Sequence, residues 1–253
     1  MRFLSRKPKT RRDSLLGIME QARSMGIAPA SVIDAGAANG TQELYLTFPQ
    51  ARHLLIEPLR EFEPALDALK KRIPQLEYVI AAAGPQAGET TIHVHPDLYG
   101  SSTRLEDEGT DVNGTPRVVP VARLDDLCKD LPAPYLLKID VQGGELDVLT
   151  GAANVLRHTE MVVLETLLFE TYRDAPQFRD VVEFMHQRGF VLYDIADLLH
   201  RPLDNALLQI DVAFVPASSP LRKFHSYATP EQRARQTEEL NKILLLNKVR
   251  KGS

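Results

Sequence analysis

Cysteine is nearly absent. The 253 residues contain one, Cys128, so no disulfide closes within the chain, and with no Cys-Cys or Cys-His spacing around it a structural zinc site is not expected. Cys128 is expected as a small buried apolar residue behind Leu124 and Leu127. Long apolar runs are missing too, and none approaches the roughly 20 residues that a membrane span needs. Leu15 to Met19 is too short for the hydrophobic segment of a secretory signal, and no small-residue cleavage site follows it, so cytoplasmic residence is the expectation. No cluster of aromatics is interleaved with basic residues, which argues against nucleic acid as a partner. Internal repeats and low-complexity tracts are also lacking.

What is present is ordinary for a globular protein, with 43% hydrophobic and 25% charged residues and a formal net charge of −4. The charge is unevenly spread. Met1 to Arg12 carries six basic residues and no acid, and residues 222 to 253 carry eight basic residues against three acids, so the segment between holds the acidic excess. Any anionic partner would meet the ends rather than the middle. The length suits one open α/β core with terminal extensions. The chain is accordingly divided into a basic arm and helix over 1–28, a catalytic-sized core over 29–217 and a basic helical tail over 218–253.

Periodicity and punctuation order the core. A helix is expected over residues 13–26, capped by Asp13 or Ser14 and stopped at Gly26. Strands are expected at Ser31 to Ala35, His53 to Ile56 and Glu77 to Ala81, with helices from Thr41 and over Glu61 to Arg72, and with Ala82-Ala83-Gly84-Pro85 breaking the third strand. Thr90 to His95 and Arg117 to Val121 alternate in polarity, as an inserted antiparallel pair around Gly100 to Ser102 would. Further on, Tyr135 to Asp140 and Glu160 to Leu164 read as strands, and Leu124 to Leu127, Glu145 to Arg157 and Val181 to Arg188 as helices. Phe190 to Asp194 and Leu207 to Val215 form a closing hairpin, and Thr229-Pro230-Glu231 opens a helix whose Leu240, Ile243, Leu244, Leu246 and Val249 must be buried somewhere.

Two stretches carry the chemistry. In Asp34-Ala35-Gly36-Ala37-Ala38-Asn39-Gly40, the first glycine allows a sharp turn after a strand and Gly40 allows close backbone approach. Ala38 at the middle position and an acid before the first glycine suit a pyrophosphate poorly. They suit a cofactor bearing a sulfonium and an ammonium group, S-adenosylmethionine. Glu57, at the end of the second strand, is placed to accept both ribose hydroxyls, and the small residues around Ala82 to admit the adenine edge. In the second stretch, Leu137 to Ala152, an apolar run ends in Asp140 and a Gly143-Gly144 turn opens a helix. Asp140 reads either as a ligand of the crevice or as a cap on that helix. Lys138 lies on the same strand face and could simply pair with it, and Glu165 ends the fifth strand. His93, His95 and Asp97 suggest a metal, but no third clear ligand accompanies the histidines, so no metal is expected.

The run LKIDVQGGELDVLTGA resembles the K-I-D-V-E-G-x-E signature of the FkbM family of S-adenosylmethionine-dependent methyltransferases. The resemblance extends over roughly 29 to 217, through VIDAGAANG, Glu57-Pro58, Arg123 to Leu127, Val162 to Glu165, Gly189-Phe190 and Asp211 to Val215. Gln142 departs from it, replacing a family glutamate. The resemblance implies an α/β fold, a doubly wound, mostly parallel seven-stranded sheet of the class I methyltransferase, Rossmann-like kind, with an inserted β-hairpin and a C-terminal helix. It implies cofactor contacts at Asp34, Gly36, Asn39, Gly40, Glu57, Ala82 and Asp140, and methylation of a hydroxyl on a sugar or glycosylated molecule. Asp140 and Glu165 are the candidate bases, with Lys138 beside them and His93 or His95 behind. N-methylation, a nicotinamide-dependent oxidoreductase and a non-catalytic scaffold are the competing readings. The basic tail is read as a solvated arm or as a peripheral contact for a membrane or a biosynthetic partner, and self-association into a homo-oligomer stays open.

Overall fold

The computed structural model of the chain describes residues 12–106 and 112–251. The basic arm lies outside these residues except for Arg12, which pairs with Asp194. The chain divides into two compact units, one ending at Pro220 and one starting at Leu221.

In the first unit, α1 (Leu15–Ser24) precedes β1 (Ser31–Ala35), α2 (Gln42–Thr47), β2 (Arg52–Glu57), α3 (Glu63–Arg72) and β3 (Leu76–Ile80). After β4 (Ala82–Ala83), β5 (Gly88–Val94) and β6 (Thr115–Ala122) come α4 (Leu124–Leu127), β7 (Tyr135–Ile139), α5 (Glu145–Thr150), α6 (Ala153–Leu156) and β8 (Thr159–Leu167). The unit closes with α7 (Phe178–Gln187), β9 (Phe190–His200) and β10 (Leu207–Pro216).

The seven-stranded sheet runs β3-β2-β1-β7-β8-β10-β9. β1, β2, β3, β7 and β8 are parallel, and β10 pairs antiparallel with both β8 and β9. The chain's order reverses between β1 and β7, so the crevice beyond their C-terminal ends is where a doubly wound sheet binds its ligand. β1 and β7 are buried at every position, as strands covered on both faces must be. Ile33, Ala35, Ile56, Leu137, Ile139 and Leu164 point to one face and pack with Val148, Leu149, Val181 and Met185 of the covering helices. Cys128 joins this core, and burial pushes its thiol up to about 12.

Local chemistry sets the boundaries. Ser14 caps α1 by accepting from the Gly17 N–H at 3.2 Å, and Gly26 in the left-handed region ends that turn. Two expectations are corrected. The third strand stops at Ile80, and Ala82–Ala83 leaves the main sheet to pair in parallel with β6, so the inserted β5–β6 hairpin becomes a three-stranded sheet of order β4-β6-β5. The helix over Glu145 to Arg157 is two helices. Gly151 separates them because a side chain there would meet the Gly84 carbonyl at 2.2 Å, and Asp125 caps the second by accepting from the Asn154 and Val155 N–H groups at 2.9 and 3.0 Å.

In the second unit, α8 (Pro230–Lys251) is a single helix with Leu240 exposed. The side chains of Ile243, Leu244, Leu246 and Val249 lie outside the described residues. Among the described residues no helix is long and apolar enough to cross a membrane.

Candidate active site

Charged residues gather on one face of the sheet at the C-terminal ends of its strands. Strand register pairs Asp34 with Lys138 across β1 and β7, and Asp211 with Glu165 across β10 and β8. Lys138 Nζ donates to Asp140 Oδ2 at 3.0 Å, and both groups are largely buried. That cation holds the Asp140 carboxyl below the usual carboxylate range against its burial. Gln142, in the left-handed region, turns its Nε2 back to donate to Asp140 Oδ1 at 3.0 Å and to Glu165 Oε1 at 2.9 Å. One amide therefore sets two carboxyl groups side by side. Gln209 on β10 donates to the other oxygen of Glu165, and the Tyr172 hydroxyl donates to Gln142 Oε1 at 3.1 Å. Burial together with the Asp140 and Glu145 charges pushes Glu165 well above its ordinary value. Gln142 is thus the donor that the arrangement requires, where a glutamate would add a third carboxyl to the pair.

These groups open on a cavity of about 620 Å³ whose walls include Gly36, Glu57, Ala82, Asp140, Gln142 and Glu165. The volume lies within the range of small-molecule sites. Of the residues expected to touch a cofactor, Gly36, Glu57, Ala82 and Asp140 line it. Asp34, Asn39 and Gly40 do not, nor does Lys138. Asp34 is wholly buried behind the loop, where neither oxygen makes a well-formed hydrogen bond, and desolvation raises its carboxyl against the pull of Lys138 and Thr41. Asn39 is exposed. Gly40 serves the turn, since its backbone lies in the left-handed region at φ +94°. Lys138 serves as the charge partner of Asp140, beneath the wall.

Glu57 is 4% exposed, and each of its oxygens accepts one backbone N–H, Oε2 from Ala38 and Oε1 from Leu59, both at 2.8 Å. Each oxygen keeps a lone pair for a hydroxyl donor. Desolvation pushes its carboxyl up to about 7, and the same effect raises Glu145 to about 7. Glu145 Oε1 accepts from Val141 N at 3.2 Å and Gly143 N at 3.0 Å, so it, and not Asp140, ties down the loop that opens α5. His95 pairs with Asp97 at 2.8 Å, and among the described residues no three metal-ligating side chains converge.

A raised carboxyl makes the fold lose stability with rising pH wherever the folded protein holds a proton that the unfolded chain has lost. For Glu57 that stability is present below the ordinary value of 4.5 and is lost as pH rises to about 7. Glu57→Gln mimics the protonated form at every pH. Its melting temperature relative to the native chain is therefore expected to rise between pH 5 and pH 8, by on the order of 5 °C. Parallel thermal melts of the two proteins check this, and a pH-independent difference would show that Glu57 titrates normally.

Five parallel strands closed by an antiparallel hairpin thus place an acidic cavity at the switch point of the sheet, where open α/β sheets bind their ligands. A profile described as the methyltransferase FkbM domain matches residues 34–192, and the chain belongs to that family. It is similar to methyltransferase sdnD of Sordaria araneosa, with 26% identity over 192 residues that span 63% of this chain and 73% of that protein. Among solved structures it resembles magnesium protoporphyrin IX methyltransferase of Synechocystis with bound S-adenosylmethionine, at TM-score 0.46 and 9% identity over 79% of this chain and 76% of that one. It also resembles an rRNA methylase of Streptococcus thermophilus, at TM-score 0.46 and 11% identity over 82% and 98% of the two chains.

Proposed function

We propose that the chain moves the methyl group of S-adenosylmethionine to a hydroxyl on a sugar, a glycan or a glycosylated small molecule, using residues 29–217 as its catalytic domain. The observation that carries this reading is the pair of carboxyl groups, Asp140 and Glu165, that one Gln142 amide holds together on the cavity wall. An alcohol is a weak nucleophile at neutral pH and needs a base within hydrogen-bond reach, a contribution of roughly 10²–10⁴-fold. Asp140 and Glu165 would hold the proton that the acceptor hydroxyl loses on methylation.

The residues present fit the cofactor. Glu57 offers two accepting oxygens to the ribose hydroxyls, and Ala82, Ala83 and Gly84 leave flat space for a purine. The donor supplies an electrophilic methyl group when bound. The protein's own task is to hold donor and acceptor in line, because orientation supplies much of the acceleration in such transfers. The test is transfer of labelled methyl from the cofactor to a panel of glycans and glycosides, with the product atom identified by NMR. Label on a sugar oxygen is the expected result. Label on nitrogen would replace the hydroxyl by an amine, and label on no member would remove the carbohydrate acceptor.

A further inference from the structure

The Asp140–Glu165 pair rests on a residue that does not itself reach the cavity. Tyr172, in the loop after β8, is 7% exposed and is not among the residues that wall the cavity, yet its hydroxyl donates to Gln142 Oε1 at 3.1 Å. Packing holds the ring in place. It lies against Leu167, Ala175 and Leu208, and the Tyr172 backbone bridges to Glu106, between β5 and β6.

Gln142 is pinned at its backbone as well. It occupies the left-handed region at φ +57°, which residues other than glycine seldom adopt, and its carbonyl accepts from the Ser102 hydroxyl at 2.6 Å. Ser102 is 2% exposed, and its oxygen in turn accepts from the Arg104 N–H at 3.0 Å. With the main chain held, what remains to be set is the direction of the side-chain amide.

An amide has a donor end and an acceptor end of nearly the same shape, so its partners decide which way it points. The Nε2 end gives one hydrogen to Asp140 at 3.0 Å and one to Glu165 at 2.9 Å, which uses both. Oε1 then needs a donor, because a buried acceptor without one costs free energy. The Tyr172 hydroxyl meets that need. Burial, and after it the charges of Glu106, Glu165, Glu145 and Asp140, raise this hydroxyl above the ordinary tyrosine value, so it keeps the hydrogen it donates. Reversed, the amide would set Oε1 against two carboxyl groups.

Resting on the reading of Asp140 and Glu165 as the proton-holding pair, we propose that Tyr172 is a positioning residue for methyl transfer. Acting through Gln142, it aims the amide that holds the two carboxyl groups together on the cavity wall.

Side-chain amide NMR on isotope-labelled full chain reads this without an acceptor. The Gln142 amide, identified by loss of its signal in Gln142→Glu, is expected to exchange slowly with water in the native protein. In Tyr172→Phe, which keeps the ring and its packing, both of its protons are expected to exchange about tenfold faster, with the circular dichroism spectrum unchanged. Fast exchange of this amide in the native chain, or exchange unchanged in Tyr172→Phe, would overturn the proposal. Kinetics with an accepting glycoside add a second reading. Tyr172→Phe is expected to lower kcat about tenfold at unchanged KM for the cofactor, and to add nothing to the loss in Gln142→Leu. Independent, additive losses would show that Tyr172 does not act through Gln142. Calorimetry with S-adenosylhomocysteine separates this claim from the reading beneath it. Equal affinity in the native chain and Tyr172→Phe is expected, and absence of binding to the native chain would overturn the methyltransferase reading while the amide exchange still reports whether Tyr172 orients Gln142.

Discussion

Gly36→Ala is expected to cost on the order of 3–5 kcal/mol of stability, a fall in melting temperature of roughly 10 °C for a chain of this size, and to abolish cofactor binding. Gly36 sits at φ +79°, and a Cβ built there lies 1.7 Å from the Asp140 carbonyl oxygen. Neither partner can retreat, because β1 and β7 are hydrogen-bonded neighbours and Asp140 N donates to Ala35 O at 2.9 Å. The glycine therefore holds the two chemical loops in contact, the one after β1 and the one after β7. Gly26→Ala is the control. Gly26 has φ +101° and nothing within 4 Å of a built Cβ, so it reports the left-handed backbone alone, about 1 kcal/mol. Thermal melts of both variants measure the difference. Equal losses would mean that the β1–β7 contact tolerates a side chain.

The carriers of this architecture were legible in the sequence for a physical reason. Strands buried on both faces are spelled as short apolar runs, and Ser31 to Ala35 and Tyr135 to Asp140 could hardly be anything else. Acids at the ends of such runs, Glu57 and Asp140, were legible with them. Contacts made by distant partners were not. Gln209 reaches Glu165 from a hairpin that folds back 44 positions later, and Tyr172 reaches Gln142 from a loop beyond β8. Nothing in the local pattern of either residue signals this. The helix break at Gly151 depends on the backbone of Gly84 and the side chain of Asp125, both remote in sequence. Asp34 shows the opposite failure. Its place before the glycine reads as ligand contact, yet register sets it beside Lys138 and burial keeps it off the cavity wall.

Glu57→Ala is expected to weaken cofactor binding a hundredfold or more, since each hydrogen bond from a hydroxyl to a charged carboxylate contributes about 1.5–3 kcal/mol. The substitution also frees the Ala38 and Leu59 amides, which water entering the cavity can satisfy, so the fold is expected to persist. A circular dichroism spectrum like that of the native chain would establish this. Glu57→Gln keeps one accepting oxygen and should fall between the two.

Isothermal titration calorimetry of S-adenosylhomocysteine into the native chain and into folded Glu57→Ala is the most direct test of the claim that acidic strand ends hold an adenosyl cofactor at this switch point. One saturable site in the native chain, and none in the variant at the same concentrations, is the expected outcome. No heat with the native chain, or equal affinity in both proteins, would contradict it.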